Sequence, residues 1–276
     1  MKNTIEKDAM ITRKSIRTFT GKKISATDKE KIVNYINNEN NLIGIHGNKI
    51  AVQLIEAHGK VSGKIGTYGV IKNAPAFLVV TCKNSQDVLF DCGYVFERLV
   101  LYLAQNGLGT CWLGGTFNRS KLIENKSLFS DEFIPVISPV GYSEKNRSIS
   151  DKVMRSLAKG DLRMDFNELF HYEEQNQQVT NPKWREDLEL VRLAPSASNK
   201  QPWRILMDEN GHAHFYLKRT LKYAASLGYD IQWLDMGISA AHYEIACGSC
   251  EFLVDDAKLA VGYRDWEYVI TAKRRG

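Results

Sequence analysis

A chain of 276 residues, 43% apolar and 25% charged, is long enough for one large or two ordinary domains around a sizeable core, which argues against disorder over most of its length. No run approaches the ~18 consecutive apolar residues of a membrane span, and the opening MKNTIEKDAMITRK has no apolar export segment, so a cytoplasmic protein with no membrane partner is expected. The formal charge of +5 is interspersed with acidic residues except in the terminal AKRRG; this argues against a nucleic-acid stripe and leaves solubility, or a small anion such as phosphate, as its use.

In chain order, TDKEKIVNYINN (27–38) opens on Thr27 as a cap, sets Ile32, Tyr35 and Ile36 at helical spacing and ends in an Asn-rich break, predicting a helix and then a loop. APAFLVVTC (74–82) follows a proline-marked start with β-branched residues and predicts a buried strand. DVLFDCGYVFERLVLYLAQNGLG (87–109) is apolar on every side and stops at Asn106-Gly107, which predicts a buried central helix. TCWLGGTF and IPVISPVGY then read as a glycine-rich loop and a strand. The region 143–183 is charged and polar; its low-complexity end, 173–183, reads as a linker between a first half (1–172) and a second (184–276). Beyond it come an amphipathic helix in KWREDLELVRLA, strands in WRILMD and HAHFYLKR around a turn, and a second buried helix in QWLDMGISAAHYEIACGS.

The two buried helices repeat one another. Asp91-Cys92-Gly93 and Asp235-Met236-Gly237 each open an apolar run that ends in glycine, and each follows a strand. This suggests two copies of one α+β domain, with helices packed on mixed sheets, although D-x-G alone is also a common helix start.

Three stretches carry candidate chemistry. In RKSIRTF (13–19) an extended backbone would put Arg13, Ser15 and Arg17 on one face, two guanidinium forks and a hydroxyl suited to a phosphate; a solvated basic strand is the plainer alternative. In GLGTCWLGGTF (107–117) the glycines allow backbone to approach a planar ligand, or simply tight packing, and the G-x-G-x-x-G order of a dinucleotide fold is missing. APSASNKQPW (194–203) offers hydroxyls and the Asn199 amide, which could read a heterocycle with alternating N–H and C=O edges; Gln201 and Trp203 suit turn closure and packing. Five cysteines without an export signal read as reduced thiols. Cys247 and Cys250 form a lone C-x-x-C with no second ligand pair, so no metal is expected. His212 and His214 read as one face of a partly exposed strand. No Ser-His-Asp set, H-E-x-x-H helix or P-loop occurs.

Taken together, R-x-S-x-R-x-F, a D-x-G helix ending in GLGTCWLGG, and A-P-S-x-x-N-x-Q-P-W resemble the nitroreductase family of flavoproteins, and GTYGVIKNAPAFLV, GTCWLGGTFNRS and RLAPSASNKQPWRI resemble its single-chain, internally duplicated branch. In that family the arginine motif of one subunit and the serine-asparagine motif of the other hold FMN at a dimer interface. Here INNENNLIGIHG stands where the first half would carry Q-P-W, and NQQVTNPKW stands where the second would carry the arginine motif. The resemblance therefore implies a nitroreductase-like α+β fold in two tandem copies, a monomer acting as an intrachain pseudo-dimer with one composite FMN site. Carried over, Arg13, Lys14, Ser15 and Arg17 form the arginine wall, with Arg13 and Ser15 on the phosphate and ribityl chain and Arg17 near the N1–C2=O edge. Trp112, Leu113, Gly114 and Gly115 line the ring near N5, and Arg163 completes the phosphate site, with Asp161 where a second basic residue is often found. Pro195, Ser196, Ala197, Ser198 and Asn199 close the site from the second half. The implied activity is hydride transfer from NAD(P)H through flavin N5 to a nitroaromatic, quinone or similar planar small-molecule acceptor. A non-catalytic flavin-binding protein for storage or sensing is the alternative.

Overall fold

The computed structural model describes residues 2–57, 66–123, 132–144, 162–172, 177–223, 225–253 and 265–275. The helices among them are α1 (Lys2–Thr12), α2 (Ala26–Asn37), α3 (Gln86–Gln105), α4 (Arg119–Ile123), α5 (Phe166–Leu169), α6 (Pro182–Arg192) and α7 (Ile231–Cys247). The strands are β1 (Ala51–Glu56), β2 (Ala76–Lys83), β3 (Gly109–Thr110), β4 (Glu132–Phe133), β5 (Ile137–Gly141), β6 (Phe170–Tyr172), β7 (Trp203–Met207), β8 (Ala213–Lys218), β9 (Cys250–Leu253) and β10 (Trp266–Arg274).

Local chemistry sets the ends of these elements. Ser25, not the expected Thr27, caps α2, its Oγ accepting from Asp28 N at 3.1 Å; Thr27 already lies inside the first turn. Asn181 caps α6 through the N–H groups of Lys183 and Trp184, and Pro182 takes the first turn, where its missing N–H costs nothing. Of the expected linker, 182 and 183 thus belong to α6. Gly107 (φ +73°) and Gly248 (φ +86°) turn the chain out of α3 and α7 in the left-handed conformation that a Cβ disfavours.

The strands form two five-stranded sheets. The first runs β1-β2-β5-β3 with β4 also on β2, all antiparallel; the second runs β6-β7-β8-β10-β9, with β6 parallel to β7 and the rest antiparallel. Leaving β4 and β6 aside, both sheets place their strands in the same order: first, second, fourth, third. In both, the long helix lies between the second and third strands. Residues 170–172, at the end of the expected first half, add their strand to the second sheet.

Between the sheets α3 and α7 pack against each other, α3 also on β2 and α7 on β7 and β8, so one apolar core runs through all of them. Both helices are buried on nearly every side, as their all-round apolar sequence predicts. Their closest approach is at two glycines. A Cβ on Gly93 would sit 2.0 Å from Leu234 O, and one on Gly237 would sit 1.9 Å from Phe90 O. These are matched positions of the D-x-G repeat, each meeting the residue just before its counterpart's aspartate, the reciprocity expected of a self-complementary contact.

The aspartates of the repeat also do matched work. Asp91 accepts from His46 N (3.0 Å) and Asn48 N (3.1 Å), and Asp235 accepts from Ala197 N (2.9 Å). INNENNLIGIHG and APSASNKQPW are therefore corresponding loops hung on corresponding carboxylates.

The expectation of a partly exposed strand carrying His212 and His214 is corrected. His214 is buried, because β8 lies inside the second sheet; its Nδ1 pairs with Thr271 Oγ1 at 2.8 Å and its Nε2 faces Asp208 at 3.4 Å. His212 precedes the strand. Cys247 ends α7 and Cys250 begins β9, both half-buried thiols. Among the described residues no group of three or more His, Cys, Asp or Glu could hold a metal, and no helix is long and apolar enough to cross a membrane.

Candidate functional site

After α1 the chain runs extended. Ile16 N donates to Thr110 O at 2.8 Å, Lys72 N donates to Arg17 O at 2.8 Å, and Phe19 N donates to Lys72 O at 3.0 Å. Held between β3 and residue 72, the segment shows its odd-numbered side chains to one side, so Arg13, Ser15 and Arg17 line a single cavity of about 410 Å³. Ile16 points the other way, against Gly109, whose absent Cβ would meet it at 2.8 Å. Lys14 is exposed and does not line the cavity; an alternating strand could not put it there with its neighbours.

The glycine-rich loop 112–116 forms the next wall. Leu113 N donates to Ile137 O at 3.0 Å, and Arg119 fixes the loop by donating to Ile134 O (2.9 Å), Pro135 O (3.0 Å) and Gly114 O. Gly114 is needed for close approach, since a Cβ there would lie 2.6 Å from Ile231 Cδ1 and 3.2 Å from the Tyr229 hydroxyl. The Trp112 indole donates to Glu97 Oε2 at 2.8 Å and meets Phe96 edge-on.

The opposite wall is the 195–199 stretch of the second half. Ser198 (φ +47°), Asn199 (φ +56°) and Gln201 (φ +48°) are all left-handed without being glycine, a strained run that only surrounding contacts can hold. Those contacts are specific. Gln201, buried, donates to Asn199 O (3.1 Å) and accepts from Met164 N (3.0 Å); Ser196 Oγ accepts from Gln201 N (2.9 Å); Tyr223 OH donates to Ser198 Oγ (2.8 Å). Arg163 donates to Asn199 Oδ1 (3.2 Å) and Leu193 O (3.2 Å), and Asn199 Nδ2 donates to Leu162 O (2.6 Å). Both ends of the Asn199 amide are engaged within the protein, so the residue ties two walls together rather than offering the cavity the open amide expected of it. Asp161 lies outside the described residues.

All the expected cofactor-binding residues except Lys14 thus surround one cavity. Sequence reasoning missed the rest of its lining: Val70, Thr116, Val136, Tyr223, Ser226, Leu227, Ile231, Leu234, Asp235 and Ile238. Asp235 carried a signal in the D-x-G repeat. Tyr223, Ser226 and Leu227 come from a segment, 219–230, that has no counterpart in the first half, where Asn84 and Ser85 alone join β2 to α3.

The electrostatics are one-sided. The Arg13 side chain is 6% exposed, and its Nε and Nη1 have no hydrogen-bond partner among the described residues; Glu97 Oε1 is 3.8 Å from Nε, beyond hydrogen-bond reach. Asp235 is buried with Oδ2 equally unpartnered. Burial pushes its carboxyl well above the ordinary carboxylate range, against the opposing effect of the Ala197 N–H. The folded chain therefore keeps this proton to higher pH than the unfolded chain, so stability falls as pH rises above the unfolded value. Asp235→Asn keeps an acceptor for Ala197 N and removes that dependence. In flavin-free protein it is expected to be more stable than the parent in urea at about pH 8, the difference closing toward about pH 4. A difference that stays constant with pH would contradict the assignment.

A family model described as "Putative TM nitroreductase" matches residues 5–247. The chain belongs to this family. Among solved structures, a Thermotoga maritima protein of closely matching description aligns over 97% of this chain and 93% of its own, at 18% identity and a TM-score of 0.62, which shows the shared nitroreductase fold. An "FMN-dependent Nitroreductase" of Clostridium difficile R20291 aligns over 54% of this chain and 90% of its own, at 15% identity and a TM-score of 0.40. A nitroreductase family protein of Streptococcus pneumoniae TIGR4 covers 52% and 92%, at 14% and 0.42. No curated protein matches the chain.

Proposed function

We propose that this nitroreductase family member is an FMN-dependent NAD(P)H oxidoreductase with one composite site per chain, its two halves acting as an intrachain pseudo-dimer. The observation that carries this reading is a cavity walled by both halves in which, among the described residues, two nitrogens of the buried Arg13 guanidinium and one oxygen of the buried Asp235 carboxyl have no hydrogen-bond partner. Such groups are costly unless a ligand completes them.

FMN fits these residues by size and by chemistry. The cavity is within the roughly 300–1,000 Å³ of cofactor sites, its cationic groups suit a phosphate, and Asp235 Oδ2, which carries the retained proton while Oδ1 accepts from Ala197 N, can donate to a ligand oxygen or ring nitrogen. Arg13 and Ser15 would bind the phosphate and the sugar-alcohol chain, with Arg163 bracing the wall behind Asn199. Arg17 would supply a fixed positive charge toward the electron-accepting ring, and the 112–115 backbone would lie against that ring. Val70, Leu227, Ile231 and Ile238 give the remainder of the cavity an apolar lining. When bound, FMN supplies two-electron redox chemistry between a nicotinamide and a planar oxidant such as a nitroaromatic or quinone. Protons can come from water, so no side chain is assigned as a general acid.

The test is a fluorescence titration of flavin-free protein with FMN, then anaerobic addition of NADH or NADPH. One FMN per chain and bleaching of the flavin's visible absorbance, reversed by a nitroaromatic, are expected. Protein that binds no FMN would overturn the reading. FMN that binds but is reduced by neither nucleotide would leave the non-catalytic flavin-binding alternative.

A further inference from the structure

Beneath the cavity a fully buried carboxylate and a fully buried imidazole meet across the helix pair. Glu97, on α3, accepts from Trp112 Nε1 through Oε2 (2.8 Å), and its Oε1 faces His242 Nε2 at 3.1 Å and Arg13 Nε at 3.8 Å. His242, on α7, has its other ring nitrogen, Nδ1, 3.1 Å from Leu190 O. Two of Glu97's three neighbours, Arg13 and Trp112, line the cavity.

The hydrogen-bond inventory fixes the charge of this cluster. A carbonyl oxygen can only accept, so the hydrogen of that contact is on Nδ1. The contact between Nε2 and Oε1 needs a hydrogen of its own, carried either by an imidazolium or by the carboxyl group. In both cases Glu97 and His242 together are neutral. Without His242, an ionised Glu97 beside Arg13 would cancel most of the charge that the guanidinium presents to the cavity.

We infer that Glu97 and His242 act as one neutral pair of positioning residues, which orients Arg13 and Trp112 yet leaves the full charge of Arg13 to the ligand's phosphate. The inference rests on the FMN reading for the identity of that phosphate.

The test compares FMN with riboflavin, which lacks the phosphate, by fluorescence titration, so that the ratio of their dissociation constants reports the charge at the phosphate end. His242→Gln leaves Glu97 ionised beside Arg13 and is expected to cut the preference for FMN about tenfold or more. Glu97→Gln keeps the acceptor for Trp112 and the neutral cluster, so the preference should hold within about twofold. The double variant Glu97→Gln/His242→Gln should restore the preference lost in His242→Gln, a rescue that a merely structural role would not give. Parallel loss of both flavins in His242→Gln would overturn the inference. So would a rise of about tenfold in FMN preference in Glu97→Gln, which reads out by itself if His242→Gln does not fold. A parent protein that binds neither flavin refutes the FMN reading instead, which keeps the two failures distinct.

Discussion

Arg13→Met is expected to weaken FMN binding by about two orders of magnitude while leaving riboflavin binding within a few-fold. The size follows from desolvation. Charge-assisted hydrogen bonds are each worth roughly 1.5–3 kcal/mol, and about 1.4 kcal/mol is a factor of ten, so losing two such bonds to a phosphate reaches at least a hundredfold. Exposure would discount this strongly, but the Arg13 side chain is 6% exposed and water cannot replace it. Methionine keeps much of the stem volume, so the packing of the segment after α1 should survive. Arg17 is only half-buried, and Arg17→Met should cost FMN less than Arg13→Met does. Flavin fluorescence titrations on both variants measure the ranking. Equal losses of FMN and riboflavin in Arg13→Met would mean that the residue shapes the cavity rather than binding a phosphate.

The arginine wall was legible because its information is one-dimensional. Alternate side chains of an extended strand share a face, and Arg13, Ser15 and Arg17 needed only that rule. The same rule should have excluded Lys14, which the family pattern carried in. The two buried helices were legible from all-round apolarity, and β2, β5, β7 and β8 from short apolar runs with turn punctuation. β1 and β10 were not assigned, although the Val52, Leu54 alternation with Gln53 in AVQLIE and the β-branched, aromatic WEYVITAKR carried a usable signal. The left-handed residues of APSASNKQPW could not be read, because neither serine nor glutamine favours a positive φ by type; contacts from Ser196, Met164 and Tyr223 hold them there. The 219–230 wall was equally hidden, since Tyr223 and Leu227 reach the cavity only through the long connection from β8 to α7.

Alanine at Gly93 or Gly237 is expected to destabilise the protein by about 3 kcal/mol or more, although neither glycine touches the cavity. At both sites the added carbon would meet backbone rather than a movable side-chain end: Leu234 O at 2.0 Å and Leu234 C at 2.8 Å for Gly93, Phe90 O at 1.9 Å and Tyr94 N at 2.7 Å for Gly237. Rotamer changes cannot relieve such contacts, so α3 and α7 must move apart along the seam that joins the two halves. Because one displacement opens both contacts, the second alanine should cost much less than the first, and the double variant should fall well short of additivity. Urea unfolding midpoints at unchanged slope measure this. Widening the seam also separates the arginine wall from the 195–199 wall, so FMN affinity should fall in step with stability in each single variant. A Gly93→Ala protein with the parent's midpoint would show that the helices do not approach this closely. Full additivity would show that the two contacts are independent rather than two ends of one reciprocal interface.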